Sequence, residues 1–491
     1  MPLKSASREP FFLHYSLLRG AVLVLSAVLV AALAYLVIVG RINGFPDSRY
    51  YLIGGVIVVA LLPLFLLPNL TRLWQRQFSV LLMLSVYSLH MMAIDAGPIN
   101  PLNVTLFILT GAWLLHRLAS PDEPIHEPAF SALVISFMAV ALVSALDNAF
   151  ADVFGGLVTL LPKLMFALVL ADVIRSRADL ELVLRILLIS SALAALLGIG
   201  QLISYLFLGW ELHLMDEDAP RFITLAGMPL LRASGLAHTP QGFAQPLLVV
   251  AVLLAYRLWY SRPRTSMTAT AALLGLLLAG LTLSFARGQW VAALGALLVM
   301  PLIARPHNAL RWLGSVTAVA LLGLLSGVVP LAYRLFSQFS SSSAEIRVEL
   351  LRAGLDTAAS HPLNGVGIGN FGPYSPTVER YPVHNSLVQV ASEMGYPALL
   401  LFALILIYVA WRLVRALRHN PDQQARDTLK ALLTGYIALF VAIQADPMAY
   451  SEFVWFYLAF AIAASRILRT SPAEAAPETT SRKSTDASQN V

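Results

Sequence analysis

His384 stands in Tyr381-Pro382-Val383-His384-Asn385-Ser386, directly ahead of an apolar run, with Asn385 beside it and Gln389 one helical turn further on. Histidine is the side chain best matched to general-base work near neutral pH; at such a boundary it also serves as a plain hydrogen-bonding interfacial residue. Arg287, in Leu283-Ser284-Phe285-Ala286-Arg287-Gly288-Gln289-Trp290, is the sole charge between Arg264 and Arg305. Ser342 precedes Glu345 at capping-box spacing, which starts a helix. Along that helix Glu345, Glu349, Arg352 and Asp356 form one polar stripe. Arg347 falls opposite, among Leu350, Leu351, Gly354 and Ala358. An arginine on an apolar face must meet an anion or carbonyls when that face packs, unless it snorkels to headgroups or pairs with a distant acid.

Further cations and one acid join this set. Arg232 lies in Arg232-Ala233-Ser234-Gly235, and Lys163 follows Pro162 within an apolar run. Pro162 in the first turn of its helix would bring Lys163 close to the helix start. A lone intramembrane lysine marks function or snorkels at a helix end. Glu393 enters the same helix as His384 and is expected to face a bundle or cavity. Guanidinium groups bind diphosphate bidentately through charge-assisted hydrogen bonds. No Asp-x-Asp pair stands in the 334–393 connection that carries Arg347 and His384, and the chain has no cysteine. Phosphate neutralisation then falls to arginine rather than to Mg²⁺, and no cofactor is expected. Asn364-Gly365-Val366-Gly367-Ile368-Gly369-Asn370-Phe371 matches neither the spacing nor the context of a dinucleotide fingerprint and reads as a glycine-permitted tight loop.

The elements that must hold these residues are written in the composition. The 491 residues are 58% hydrophobic and only 12% charged, with a mean hydropathy of +0.74. That excludes an ordinary soluble enzyme and a disordered chain. Continuous apolar runs exclude an outer-membrane barrel, whose strands alternate. The net charge of +6 does not indicate nucleic acid, because the arginines are scattered between apolar runs.

Runs of spanning length fall at about 17–39, 51–68, 78–95, 101–118, 129–146, 153–174, 182–208, 243–260, 267–285, 288–304, 311–333, 394–413, 429–445 and 452–468. The first reads as an uncleaved helix rather than a signal peptide. The fold expected is an all-α polytopic membrane protein of about 12 (12–14) transmembrane helices. With a cytoplasmic N-terminus, Arg72/Arg76, Arg175/Arg177, Arg257/Arg262/Arg264, Arg305/Arg311, Arg412/Arg415/Arg418 and Arg466/Arg469 fall inside. Asp47, Asp95, Asp147, Asp152 and Asp446 fall outside, as the positive-inside rule requires. Two long connections, about 209–242 and 334–393, then lie outside. The expected divisions are helices over 1–333, the outside catalytic region 334–393, the last helices 394–470 and a disordered cytoplasmic tail 471–491. No internal repeat is apparent, which disfavours a repeat-built transporter.

The segment from Arg347 to Tyr396 resembles the ligase/polymerase domain of bacterial O-antigen ligases (WaaL-type). The resemblance rests on His361-Pro362-Leu363-Asn364-Gly365-Val366-Gly367-Ile368-Gly369-Asn370-Phe371, on His384-Asn385-Ser386-Leu387 and on Glu393-Met394-Gly395-Tyr396-Pro397. Ser284-Phe285-Ala286-Arg287-Gly288 is similar to that family's arginine-bearing turn, and Arg232-Ala233-Ser234-Gly235 to its shorter outside loop. The pattern departs from the family at Thr239-Pro240-Gln241.

The resemblance implies a GT-C-like fold in the Gram-negative inner membrane, with a mostly helical periplasmic insertion before the last spans. It implies a glycosyltransferase moving O-polysaccharide from undecaprenyl diphosphate to lipid A–core, inverting, without nucleotide or metal. By position His384 becomes the base, and Arg287 and Arg347 the diphosphate ligands. Arg232, Lys163, Asn385 and Glu393 would bind substrate. A Wzy-type polymerase, a protein O-oligosaccharyltransferase and, outside the enzymes, a lipid-linked sugar flippase or exporter are the competing readings.

Overall fold

The computed structural model describes residues 86, 89, 101–119, 123–148, 150–211, 222–225, 228–261, 266–326, 341–377 and 381–469. The first two apolar runs, all of the third except residues 86 and 89, the start of the outside insertion at 334–340 and the expected tail at 471–491 lie outside the described residues. Twelve α-helices occur among the described residues: α1 (Pro101–Ala119), α2 (Pro128–Asp147), α3 (Phe150–Val173), α4 (Arg177–Leu208), α5 (Pro240–Tyr260), α6 (Met267–Leu283), α7 (Arg287–Ala304), α8 (Ala309–Leu325), α9 (Ser341–Ser360), α10 (Ser386–Arg418), α11 (Gln423–Ala445) and α12 (Glu452–Ile467). Six of them, α2, α4, α5, α7, α10 and α11, are long and apolar enough to cross a membrane, and α6 is apolar but shorter.

The helix ends follow local chemistry. Ser176 and Asp179 form a reciprocal capping box at the start of α4, and Gly209 closes it in the left-handed conformation. Thr239 caps α5 ahead of Pro240, and Asp422 caps α11. The centre of the bundle is built on α5 and α12, which are buried on nearly every face, as helices apolar all round must be. Around them α3 packs on α12, α11 on α5 and α7, and α2 on α10.

Two features differ from the sequence expectation. The loop 209–242 is not purely helical or irregular: β1 (Phe222–Leu225) and β2 (Met228–Leu231) form an antiparallel hairpin, with Phe222 opposite Leu231. The Phe222 ring packs on Tyr205 at the end of α4, centroids 5.5 Å apart, so the hairpin gains an apolar seat that an isolated one lacks. Pro162 is not in a first helical turn but inside α3. Packing from neighbouring helices tolerates the lost backbone bond there.

α10 is broken at Gly395 (φ 81°, ψ 176°), and the break explains why two separated motifs occur together. In a continuous helix the Glu393 carbonyl would accept from residue 397, but Pro397 has no N–H. The Tyr396 N–H is diverted to the Pro362 carbonyl at 2.8 Å, which frees the Ser392 carbonyl as well. The glycine loop fills both vacancies: Val366 donates to Ser392 (3.0 Å) and Gly367 to Glu393 (2.9 Å). A Cβ on Gly395 would run into the Leu363 carbonyl, and one on Gly365 into the Glu393 backbone. Gly395→Ala is therefore expected to lower the melting temperature of the purified protein, the backbone strain alone costing about 1–3 kcal/mol. An unchanged melting curve would show that the break tolerates a side chain.

Toward the other end of α10, Arg412 pairs bidentately with buried Glu127, both contacts at 2.8 Å. Buried Asp172 accepts from Trp113 (2.7 Å), from Arg117 and from the His126 backbone (3.1 Å). These buried acids are fully partnered, and they tie α1, α3 and α10 together away from the glycine loop.

Candidate active site

The connection between α11 and α12 is where the candidate residues meet. Asp446, which caps the end of α11, is buried. Its carboxylate receives the Gln289 amide of α7 (3.3 Å) and faces the Arg347 guanidinium of α9 (3.6 Å). Arg347 also donates to the Ala445 carbonyl at 3.0 Å. Its helix face is the one the spacing selects: Leu350, Gly354 and Ala358 are buried beside it, while Glu345, Glu349, Arg352 and Asp356 are exposed. Leu351 departs from that reading and is exposed.

Arg287 opens α7 after the tight turn Ser284–Ala286. Phe285 adopts φ 51° there, the sole positive φ outside glycine among the described residues. Such a conformation is costly for a bulky residue, and the turn is braced on both sides. Arg232 donates to the carbonyls of Ser284 (3.2 Å) and Phe285 (3.4 Å), and Trp290 donates to Leu281 (3.0 Å). Gly288 lets the Asp446 carboxylate approach the N-terminus of α7; a Cβ there would sit 2.9 Å from Asp446 Oδ2. A carboxylate is favoured at that end of a helix dipole.

Burial and the neighbouring Arg287 and Arg347 hold the Arg232 pKa down to about 10, so its guanidinium remains cationic near neutrality. That mutual repulsion is balanced in part by Asp446. Burial pushes the Asp446 pKa up to about 6 despite Arg347, Gln289 and Arg232.

His384 sits between α9 and α10 in a segment fixed from both sides. Val383 packs with Leu350 and Phe371 in a small apolar core beneath α9. Asn385 caps α10 by accepting from Leu387 and Val388, and its amide donates to Gln444 (3.2 Å). Ser386 donates to the Asp446 carbonyl (2.9 Å) and accepts from Met448 N (2.8 Å). The turn carrying Asp446 is thus stitched to the residues flanking His384.

The imidazole is half-buried. Its Nδ1 is buried without a hydrogen-bond partner among the described residues, so Nε2 is the nitrogen left for proton transfer. Burial first, and the Arg347 charge second, lower the His384 pKa to about 4. An imidazole that is unprotonated at neutral pH is in the state a base requires.

The two titrations predict a specific pH behaviour. Protonating Asp446 near pH 6 removes the anion opposite Arg347, and protonating His384 near pH 4 removes the base. The wild-type kcat/KM is expected to fall below about pH 6, whereas Asp446→Asn, slower overall, stays flat from pH 7 to about 5. A limb near 6.5 in that variant would mean His384 titrates like an ordinary imidazole.

The remaining two candidates lie in an adjacent network. Buried Lys163 pairs with Glu452 (2.7 Å) and donates to the Tyr450 carbonyl (2.5 Å). Buried Glu393 accepts from Gly369 N (2.6 Å) and from the Tyr450 hydroxyl. Both are therefore held by protein partners, as Arg232, Arg347 and Asn385 are beside the Asp446 turn.

Residues 271–403, from within α6 to beyond the break in α10, match a family model described as O-antigen ligase. This segment is similar to an O-antigen ligase domain. No curated protein matches the chain. The matched segment contains Arg287, Arg347, His384, Asn385 and Glu393; Lys163, Arg232 and the Asp446–Tyr450 turn are supplied from outside it. Asp446, Gln289 and Tyr450 escape sequence reasoning as site residues. The one signal for Asp446 is an acid at the end of an apolar run, which the charge rule already accounts for.

Proposed function

We propose that the protein is an O-antigen ligase, transferring O-polysaccharide from undecaprenyl diphosphate to a hydroxyl of lipid A–core. The site lies on the periplasmic side of the Gram-negative inner membrane, within a GT-C-like bundle of about twelve spans whose two termini are cytoplasmic. The observation that carries the reading is the gathering of Arg232, Arg287 and Arg347 within electrostatic reach of one another, with Asp446 facing Arg347, beside an unprotonated His384.

In the proposed reaction the acceptor hydroxyl attacks the anomeric carbon on the face opposite the diphosphate. The new C–O bond forms as the bond from that carbon to the phosphate oxygen breaks, so the configuration inverts. His384 takes the hydroxyl proton and returns it to solvent. The charge growing on the leaving diphosphate is met by the forks of Arg287 and Arg347, fixed before the reaction begins. Arg232 braces the turn from which Arg287 projects. Nothing in this sequence calls on a nucleotide.

The test is reconstitution with lipid-linked glycan and lipid A–core in nucleotide-free proteoliposomes. Glycan on the core is the expected product. Longer lipid-linked chains would make the protein a polymerase, glycan on an added protein acceptor a protein glycosyltransferase, and movement of the intact lipid-linked glycan a flippase.

A further inference from the structure

Tyr450 belongs to neither the base nor the cation cluster, yet it is fully tied into the wall behind them. Its hydroxyl donates to Glu393 Oε2, the same oxygen that accepts from Gly369 N. Its carbonyl accepts from Lys163, whose ammonium is also paired with Glu452 at the start of α12. The Glu393 backbone carbonyl in turn accepts from Gly367 and from Ser144 of α2 (3.2 Å). Tyr450 therefore joins four parts of the chain: α3, the glycine loop, the break in α10, and the short turn that begins at Asp446.

That turn reaches the arginines directly. Asp446 faces Arg347, Ser386 clasps the Asp446 carbonyl, and only Pro447, Met448 and Ala449 separate Asp446 from Tyr450. A buried hydroxyl–carboxylate bond in a water-poor interior is directional and costly to leave unmade. We infer that Tyr450 is a positioning residue: its bond to Glu393 sets the height of the Asp446 turn, and through it the spacing of the Arg347 guanidinium and the His384 imidazole. Glu393 takes a holding role in this arrangement rather than a substrate-contacting one. The inference rests on the ligase reading above, since it assigns Tyr450 a part in that reaction.

The experiment is steady-state transfer in proteoliposomes by Tyr450→Phe, Asp446→Asn and the double variant, with melting curves for each. Misplacement of reacting groups by about 1 Å costs on the order of 100-fold in rate. Tyr450→Phe is expected to lower kcat by about tenfold to a hundredfold, to change the donor KM by less than about twofold, and to be non-additive with Asp446→Asn. A folded Tyr450→Phe with the wild-type kcat, or with a loss that simply adds to that of Asp446→Asn, would overturn the inference. Should Tyr450→Phe fail to fold, Glu393→Gln makes the same measurement, because it keeps one acceptor oxygen for Tyr450 but weakens the charge-assisted bond. A wild-type protein without transferase activity would instead defeat the ligase reading, so the two failures are distinguishable.

Discussion

Purified His384→Ala is expected to transfer glycan about 10²–10⁴-fold more slowly than the wild type, the usual cost of losing a general base. The loss should appear in kcat, with the donor KM little changed. His384 is poised by environment rather than by a partner. Its Nδ1 bonds to nothing among the described residues, and burial together with Arg347 keeps the ring unprotonated near pH 7. Among the described residues no carboxylate pairs with the ring, so a proton taken up by His384 would have to leave quickly, which the nearby Arg347 guanidinium favours. His384→Gln, which retains hydrogen bonding but cannot take a proton, should be as slow as His384→Ala. Wild-type turnover in either variant would remove His384 from the chemistry.

The second large effect is expected at Arg287. Arg287→Lys keeps the charge but loses the planar fork, and a lysine at a bidentate site is not a conservative replacement. A hydrogen bond to a charged group contributes about 1.5–3 kcal/mol. Loss of one such bond predicts donor binding weaker by about tenfold to a hundredfold, read as a raised KM for the lipid-linked substrate. The effect should be largest in donor use, because Arg232, Trp290 and the Asp446 contact also hold the turn and the α7 N-terminus. Unchanged donor affinity in Arg287→Lys would count against a diphosphate clamp.

How much of this was legible beforehand follows from the range of each interaction. Helix positions were readable because hydropathy is local. So was the placement of Arg347 on the packed face of α9, because its buried neighbours lie three, seven and eleven residues along that face. The glycine loop was an equally local signal.

The partners were not readable. Arg347 meets Asp446, Lys163 meets Glu452 and Glu393 meets Tyr450 across long stretches of chain, and nothing in the spacing of either member points to the other. Pro162 misled for a related reason. Proline usually opens a helix, but neighbouring helices let α3 run through it. The hairpin at 222–231 was missed because two four-residue strands carry too little periodicity to stand out.

The most direct test of the central claim is a single-turnover reaction of the purified protein loaded with undecaprenyl diphosphate–glycan and given lipid A–core. The account predicts that core-linked glycan and free undecaprenyl diphosphate appear together, one for one, and that both disappear in His384→Ala. Core-linked glycan without release of the lipid diphosphate, or release at the same rate with no acceptor present, would contradict it.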